Sequence, residues 1–509
     1  MMLKTYCFIL ISFLTLSAFS QEKRIKIVHA DYTFVDEAKY PGATILSGNV
    51  HVIHQGISLK CKKAIQYKKT NFLKAIGNVI INQGDSVIQT SNYTNYNGNT
   101  KLAVSWGKVR LKDSDVVLST DTLNFDREKQ VLYYTTGGTI IDTANTLKSD
   151  IGHYHLESKK FSAKENVVLT NPDYVVTSKQ LDYYTSNKIA YMYGASTIKS
   201  EESTIYCERG FYNTQKDIAH FIKNAKIISK NQVIEGDSIY YNKSLGFSSA
   251  TGNVVVTDSA NNTITKGGYS EYYKLKDSSL VVKKALAIII SDTDSLFIHG
   301  DTLLLTGKKD FRKIRAYHNV KFFKPNLQGA CDSIFSDDTT GITTMFKNPV
   351  LWANGSQITG DIIHFTRDLE TKKLDSLKVL QVNSSKALQN GFIVQKDSAG
   401  YNQIKGRIIL GKFVDNDLHE LNVIGNSELL YYLRNDDGKL AGINKSTCSQ
   451  INFILKKGEI QTVKFITSPD GTTYPESQLP ENVRKLKGFI WREEEQPKSK
   501  FQIFLKIKK

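Results

Sequence analysis

A period of 29 residues restricts this chain more than any other feature. Aromatic side chains stand at Tyr67, Tyr96, Phe125, Tyr154, Tyr183, Tyr212 and Tyr241, each 29 positions from the next. Such a period belongs to repeat architectures, where one copy is a supersecondary unit that buries its apolar face only by stacking on its neighbours. A second marker accompanies it, near whole multiples of the period: Gly48-Asn49-Val50, Gly77-Asn78-Val79, Asn166-Val167, Asn224-Ala225, Gly252-Asn253-Val254, Asn319-Val320 and Asn348-Pro349. A third is an acid four residues before the aromatic, at Asp121, Asp150, Glu208 and Asp237. From Asn49 to Lys378 the chain accommodates about eleven such repeats.

Within a repeat the pattern is alternation. Val50 and Val52 flank His51, Val79 and Ile81 flank Ile80, Val254 and Val256 flank Val255, and Val320 and Phe322 flank Lys321. Period-two alternation is the mark of a strand with one apolar face. A second strand follows the acid, with Leu123 and Phe125 around Asn124, and Ile239 and Tyr241 around Tyr240. The Gly-Asn and Gly-Asp pairs are expected at tight reversals, where positive φ or an Asx turn is needed. Helical periodicity is not evident before about Pro480 to Trp491. The expected fold is all-β, an elongated repeat β-jellyroll or β-solenoid built from two-stranded repeats of about 29 residues.

The opening residues bear on the compartment. Lys4, the apolar run Cys7 to Leu16 and the small-x-small Ala18-Phe19-Ser20 read as a signal peptide over residues 1–20, cleaved before Gln21. The apolar run is shorter than the roughly 20 residues of a spanning helix. No cysteine follows the cleavage point, so a lipid anchor is not expected there. The 509 residues carry 67 Lys+Arg against 50 Asp+Glu, a net charge of +17. On a cytosolic chain that charge would suggest nucleic acid, a reading that export argues against. The expected organisation is the repeat region over 21–384, degenerate repeats or a cap over 385–475, and a basic tail over 476–509 that reads as a loosely ordered terminus.

Motifs that mimic catalytic sites are discounted. Gly84-Asp85-Ser86-Val87 and Gly236-Asp237-Ser238-Ile239 resemble the nucleophile block of an esterase class, with Asp217-x-x-His220 and Asp361-x-x-His364 as partners. A nucleophile of that kind needs a unique strand-to-helix turn, whereas here the turn recurs with the repeat. His153 and His155 share a strand face, but no third ligand has suitable spacing, so neither a catalytic nor a metal site is expected, and no cofactor. Cys61, Cys207, Cys331 and Cys448 lie whole repeats apart, too far for a bridge whose Cα atoms must come within about 7 Å, and are expected as buried free thiols.

The recurring Gly-Asn-Val, Gly-Asp-Ser/Thr and Asp-x-x-x-Tyr/Phe strands, on a secreted chain, resemble the OstA/LptA-like family, and most nearly its longer OstA-like proteins of the Bacteroidetes type. The run Val483 to Trp491 adds to the likeness. The resemblance implies a V-shaped β-jellyroll (β-taco) in the periplasm that carries the acyl chains of lipopolysaccharide towards the outer membrane. It also implies partners of the same fold, on the inner-membrane and outer-membrane sides of a transport bridge. The chain is longer than single-domain members and lacks the C-terminal barrel of the larger ones. The residues expected to line the lipid groove are Val50, Val52, Val79, Ile81, Leu123, Phe125, Tyr154, Val167, Leu169, Tyr183, Tyr212, Ile227, Ile239, Tyr241, Val254, Val256, Val320 and Phe322. Two alternatives stay open: a structural or adhesive solenoid with a filled core, and a β-helix hydrolase or lyase.

Overall fold

Positive φ at paired positions shapes every layer of this protein. The computed structural model describes residues 24–505 except 85, 292–293, 309–310, 372, 381–390, 416 and 457–458, so the expected signal peptide lies outside the described residues. The chain divides into two compact units, Met1–Ile222 and Lys223–Lys509. In the first unit, strands Phe72–Gln83, Val87–Asn97, Leu102–Asp113 and Val116–Asp126 run antiparallel in succession, and Lys160–Asn171, Tyr174–Tyr184, Ile189–Ser200 and Ser203–Asn213 do the same.

Every second one of these strands carries an insertion at its middle, where two of its residues face one on the next. Ile76 pairs with Tyr93 and the next pair is Val79 with Ser91. The inserted pair is Gly77-Asn78, with φ of 77° and 47°; Gly107-Lys108 and Glu165-Asn166 do the same. Such two-against-one bulges bend a strand sharply. The Gly-Asn marker is therefore a mid-strand corner, not the hairpin reversal expected from the sequence; reversals fall elsewhere, as at Lys68–Asn71 and Gly98–Lys101. Bulge and turn demand the same left-handed conformation, and composition alone does not separate them. The acidic marker completes the corner: Asn166 Nδ2 donates to Asp150 at 2.7 Å, Asn253 to Asp237 at 3.1 Å and Asn49 to Asp31 at 3.0 Å.

A bent strand has two arms, and alternate residues of both arms point into the angle between them. Neighbouring strands stack these residues into continuous rows. On the aromatic arm one row runs Tyr96, Ala103, Phe125, Leu132, Tyr154, Phe161, Tyr183, Ala190, Tyr212. On the opposite arm another runs Val52, Leu59, Ile81, Gln89, Leu111, Leu118. The 29-residue period is thus the return of the chain to one row after two strands.

The second unit repeats the scheme through Gln232–Asn242, Phe247–Asp258, Thr263–Tyr273, Ser278–Ile289, Leu296–Thr306, Lys313–Lys324 and Leu327–Asp337, and residues 391–474 continue it. Here the runs Val350-Leu351-Trp352, Phe392-Ile393-Val394 and Leu429-Leu430 do not alternate, because both faces are covered. Leu351, Ile393 and Leu429 face the core, while Val394, Leu430 and Tyr432 face outward against Leu479 and Leu486 of the tail. The tail is therefore an ordered strap rather than a loose end. Among its described residues the segment Pro480 to Trp491 holds a 3-10 turn, Glu481–Val483, and no α-helix. Fully buried Gln403 donates to Arg484 O and accepts from Leu486 N, both at 2.8 Å; Gln357 does the same with Ile490 O at 2.8 Å and Arg492 N at 2.7 Å. These amides satisfy strap backbone that lies outside any ladder.

The corner geometry has a direct test. A Cβ at Gly252, where φ is +72°, would run into the Asp237 carboxylate. Gly252→Ala should cost about 1–3 kcal/mol, read as a lower urea midpoint at unchanged m-value, while Gly56→Ala, with φ +81° but open space around its Cβ, should cost less.

Candidate functional site

The angle between the arms is the one interior both units possess, and its filling differs between them. In the first unit it is packed. Val50, Val52, Val79, Ile81, Leu123, Phe125, Tyr154, Val167, Leu169, Tyr183 and Tyr212 all lie in the buried core, none above 6% exposed. The far ends of the arms are also tied together. Tyr154 Oη donates to Asp113 at 2.7 Å and Lys159 Nζ lies 2.6 Å from the same oxygen; 29 residues on, Tyr183 Oη donates to Asp142 at 2.6 Å and Lys188 Nζ lies 2.9 Å away. The periodic tyrosine therefore closes the mouth of a layer. Burial pushes the Asp142 carboxyl up, but hydrogen bonds from Tyr183, Lys188 and the backbone N–H groups of Ala144 and Asn145 outweigh it and hold the pKa below the usual carboxylate value. Burial, then the bond to Asp142, pushes the Tyr183 phenol up.

In the second unit Ile239, Val254, Val320 and Phe322 are buried, but Ile227, Tyr241 and Val256 are only half-buried. The rows show why. Between Tyr241 and Leu305 the aromatic-arm row reads Tyr241, Ser248, Tyr272, Ser279, Leu305, and the opposite row reads Ile234, Val256, Thr265, Ala287. Serines 248 and 279 stand at the row position that holds Leu132 and Phe161, and also Ala103 and Ala190, in the first unit. The missing volume is a cavity of about 290 Å³, lined by Val256, Thr263, Thr265, Tyr272, Ser279 and Leu305 among others. That is many times the ~10–15 Å³ a single water requires. At its mouth Arg312 Nη2 lies 3.1 Å from Asp258 Oδ2, and Lys308 Nζ 3.9 Å from an Asp277 oxygen. Of the residues expected from sequence only Val256 lines this space. The serines and threonines escaped notice because the search was for apolar residues; the available signal was the loss of a large side chain at fixed row positions.

Residues 22–179 and 162–237 match the family model described as OstA-like protein. No curated protein matches. Among solved structures the chain is similar to LptH of Pseudomonas aeruginosa, titled the LptA homologous periplasmic component of the conserved lipopolysaccharide transport device. The likeness is 14% identity over 33% of this chain and 96% of that one, with a TM-score of 0.18.

The remaining motifs singled out in the sequence sit in structural surroundings. Asp237 of the esterase-like block accepts the corner bond from Asn253, and Asp85 of the other copy lies outside the described residues. His153 is stacked on Tyr133 with ring centroids 5.6 Å apart. Cys61, Cys207, Cys331 and Cys448 are buried and unpaired, each beside a corner; the thiols of Cys61, Cys331 and Cys448 donate to the carbonyl two residues on, as the Ser178 hydroxyl does. Burial pushes the Cys61 thiol up to about 11 and that of Cys331 to about 12, which leaves both unreactive at neutral pH.

The mouth clamp is testable. Tyr183→Phe should cost about 1–3 kcal/mol at pH 7, because a buried carboxylate loses a donor. The Asp142 contribution is present above the unfolded carboxyl pKa near 4 and drains away as pH falls through its lower folded value; that of Tyr183 is present below about 10 and is lost as pH rises. Thermal melts across pH should therefore show the wild-type advantage over Tyr183→Phe shrinking at both extremes.

Proposed function

We propose that this chain carries a lipopolysaccharide-type glycolipid in the periplasm, as part of lipopolysaccharide transport and outer-membrane assembly. The acyl chains would occupy the space between the arms at residues 231–312. The observation that carries this reading is the cavity itself. Among the described residues of the first unit the interior is packed by side chains such as Tyr154, Phe161 and Tyr183, whereas one run of layers in the second has Thr265 and Ser279 at inward positions and leaves about 290 Å³ between Val256 and Leu305. The OstA-like match over residues 22–237 and the net charge of +17 support it. Each buried methylene contributes about 0.8 kcal/mol, so even a partly inserted acyl chain would be held.

Partners of the same fold would join at the sheet edges. Lys26–His29 and Tyr32–Phe34 pair only with Thr44–His54 among the described residues, and Val28, Tyr32 and Phe34 are exposed there. A second reading has one observation in its favour. The packed first unit, closed by the Asp113 and Asp142 clamps, suits a structural solenoid that carries nothing within residues 24–222.

The test is a photocrosslinker placed in cells. At Val256 or Ser279 it should capture glycolipid, and at outward-facing Val255 or Val175 it should not. Equal labelling at all four positions, or none at Val256 and Ser279, would remove the conduit reading and leave the solenoid.

A further inference from the structure

Arg312 differs from the cations that occupy its place in other layers. Lys159 and Lys188 precede their strands as Arg312 precedes Lys313–Lys324, and each shares its acid with a tyrosine hydroxyl. Leu305 holds the corresponding row position beside Arg312, so that position supplies no hydroxyl to the Asp258 carboxylate. The guanidinium is bound to Asp258 through Nη2 alone, while its Nε, buried in a side chain 15% exposed, has no hydrogen-bond partner. An unsatisfied buried donor costs about 1–3 kcal/mol, and more when charged. Arg127 and Arg367 also carry an unpaired Nε. The space beside Arg127, however, is about 20 Å³, room for a single water, and Arg367 lines neither cavity. Of these three described arginines, Arg312 lines the space large enough for a ligand.

We propose that Arg312 is the anion-recognising residue of this cavity. It takes a phosphate or carboxylate oxygen of an acyl-bearing ligand on guanidinium donors that Asp258 leaves unused, and Asp258 is the internal anion that holds the guanidinium in place until that ligand arrives. The inference rests on the reading that the cavity holds an amphiphile, and adds to it a polar anchor and a class of headgroup. Guanidinium suits the task because its planar fork meets phosphate or carboxylate with two parallel hydrogen bonds. Lys308, 82% exposed at the same mouth, adds positive charge. Asp258 competes with the ligand for Arg312, so removing its charge strengthens binding.

The experiment is calorimetric titration of the full chain with decyl phosphate below its micelle concentration, with decanol as uncharged analogue and inorganic phosphate as free anion. Decyl phosphate should bind more tightly than either. Arg312→Gln should weaken it by about 10-fold or more and leave decanol unchanged. Asp258→Asn should tighten decyl phosphate, a gain that misfolding does not produce. Unchanged decyl phosphate affinity in Arg312→Gln, or weakening in a folded Asp258→Asn, would overturn the assignment while leaving the cavity's acyl role intact. Inorganic phosphate binding as tightly as decyl phosphate would also overturn it, as a free-anion site. Absence of binding by both decyl compounds, in wild type and Asp258→Asn alike, would instead overturn the amphiphile reading on which it rests.

Discussion

Everything in this architecture depends on the two-residue corner. An antiparallel strand pair, left straight, would expose one apolar face; a bulge on every second strand, as at Gly77-Asn78 with both residues at positive φ, bends the pair so that its two halves face each other. Each strand then supplies both walls of an interior, and stacking supplies its length. The corner asparagine and the carboxylate of the neighbouring strand satisfy one another at the outside of the bend, as Asn166 and Asp150 do. The inside of the bend takes small groups, among them Cys61, Ser178, Cys207 and Cys331, since the arms converge there.

Once every layer has the same backbone, the side chains of the inward rows decide what the interior does. Tyrosine, phenylalanine and leucine reach across and fill it, and a buried Asp–Tyr–Lys set seals the mouth. Serine and threonine at the same positions do not reach, and the unfilled volume becomes a site. Stability and binding capacity are thus opposed uses of the same rows: a packed layer gains the apolar burial that an open layer forgoes until a ligand provides it. The division between a packed run and an open run within one chain follows from a handful of residues, chiefly Ser248, Ser279 and Thr265.

The strap adds a third layer to one arm of the second unit. Its contacts explain the apolar runs that break alternation at residues 350–352, 392–394 and 429–432, since a strand covered on both faces has no polar side to show. Buried Gln357 and Gln403 read its backbone as a neighbouring strand would, which holds an irregular segment in place without a ladder.

The two-stranded unit, its period and its all-β character were legible in the amino-acid sequence, because alternation and a 29-residue return are set by neighbours along the chain. The inward direction of Val79, Ile81 and Leu169 was legible for the same reason. Whether Gly-Asn made a corner or a reversal was not, since both need the same φ. Neither was the closed state of the layers at Tyr154 and Tyr183, the open one at Val256, nor the seat of the tail. Those depend on which side chains meet across the arms and on what covers an outer face, and the residues concerned, Asp113 with Lys159 or Gln357 with Arg492, are dozens to more than a hundred positions apart. Local pattern specifies the repeat; contact between distant repeats decides where it is full and where it is empty.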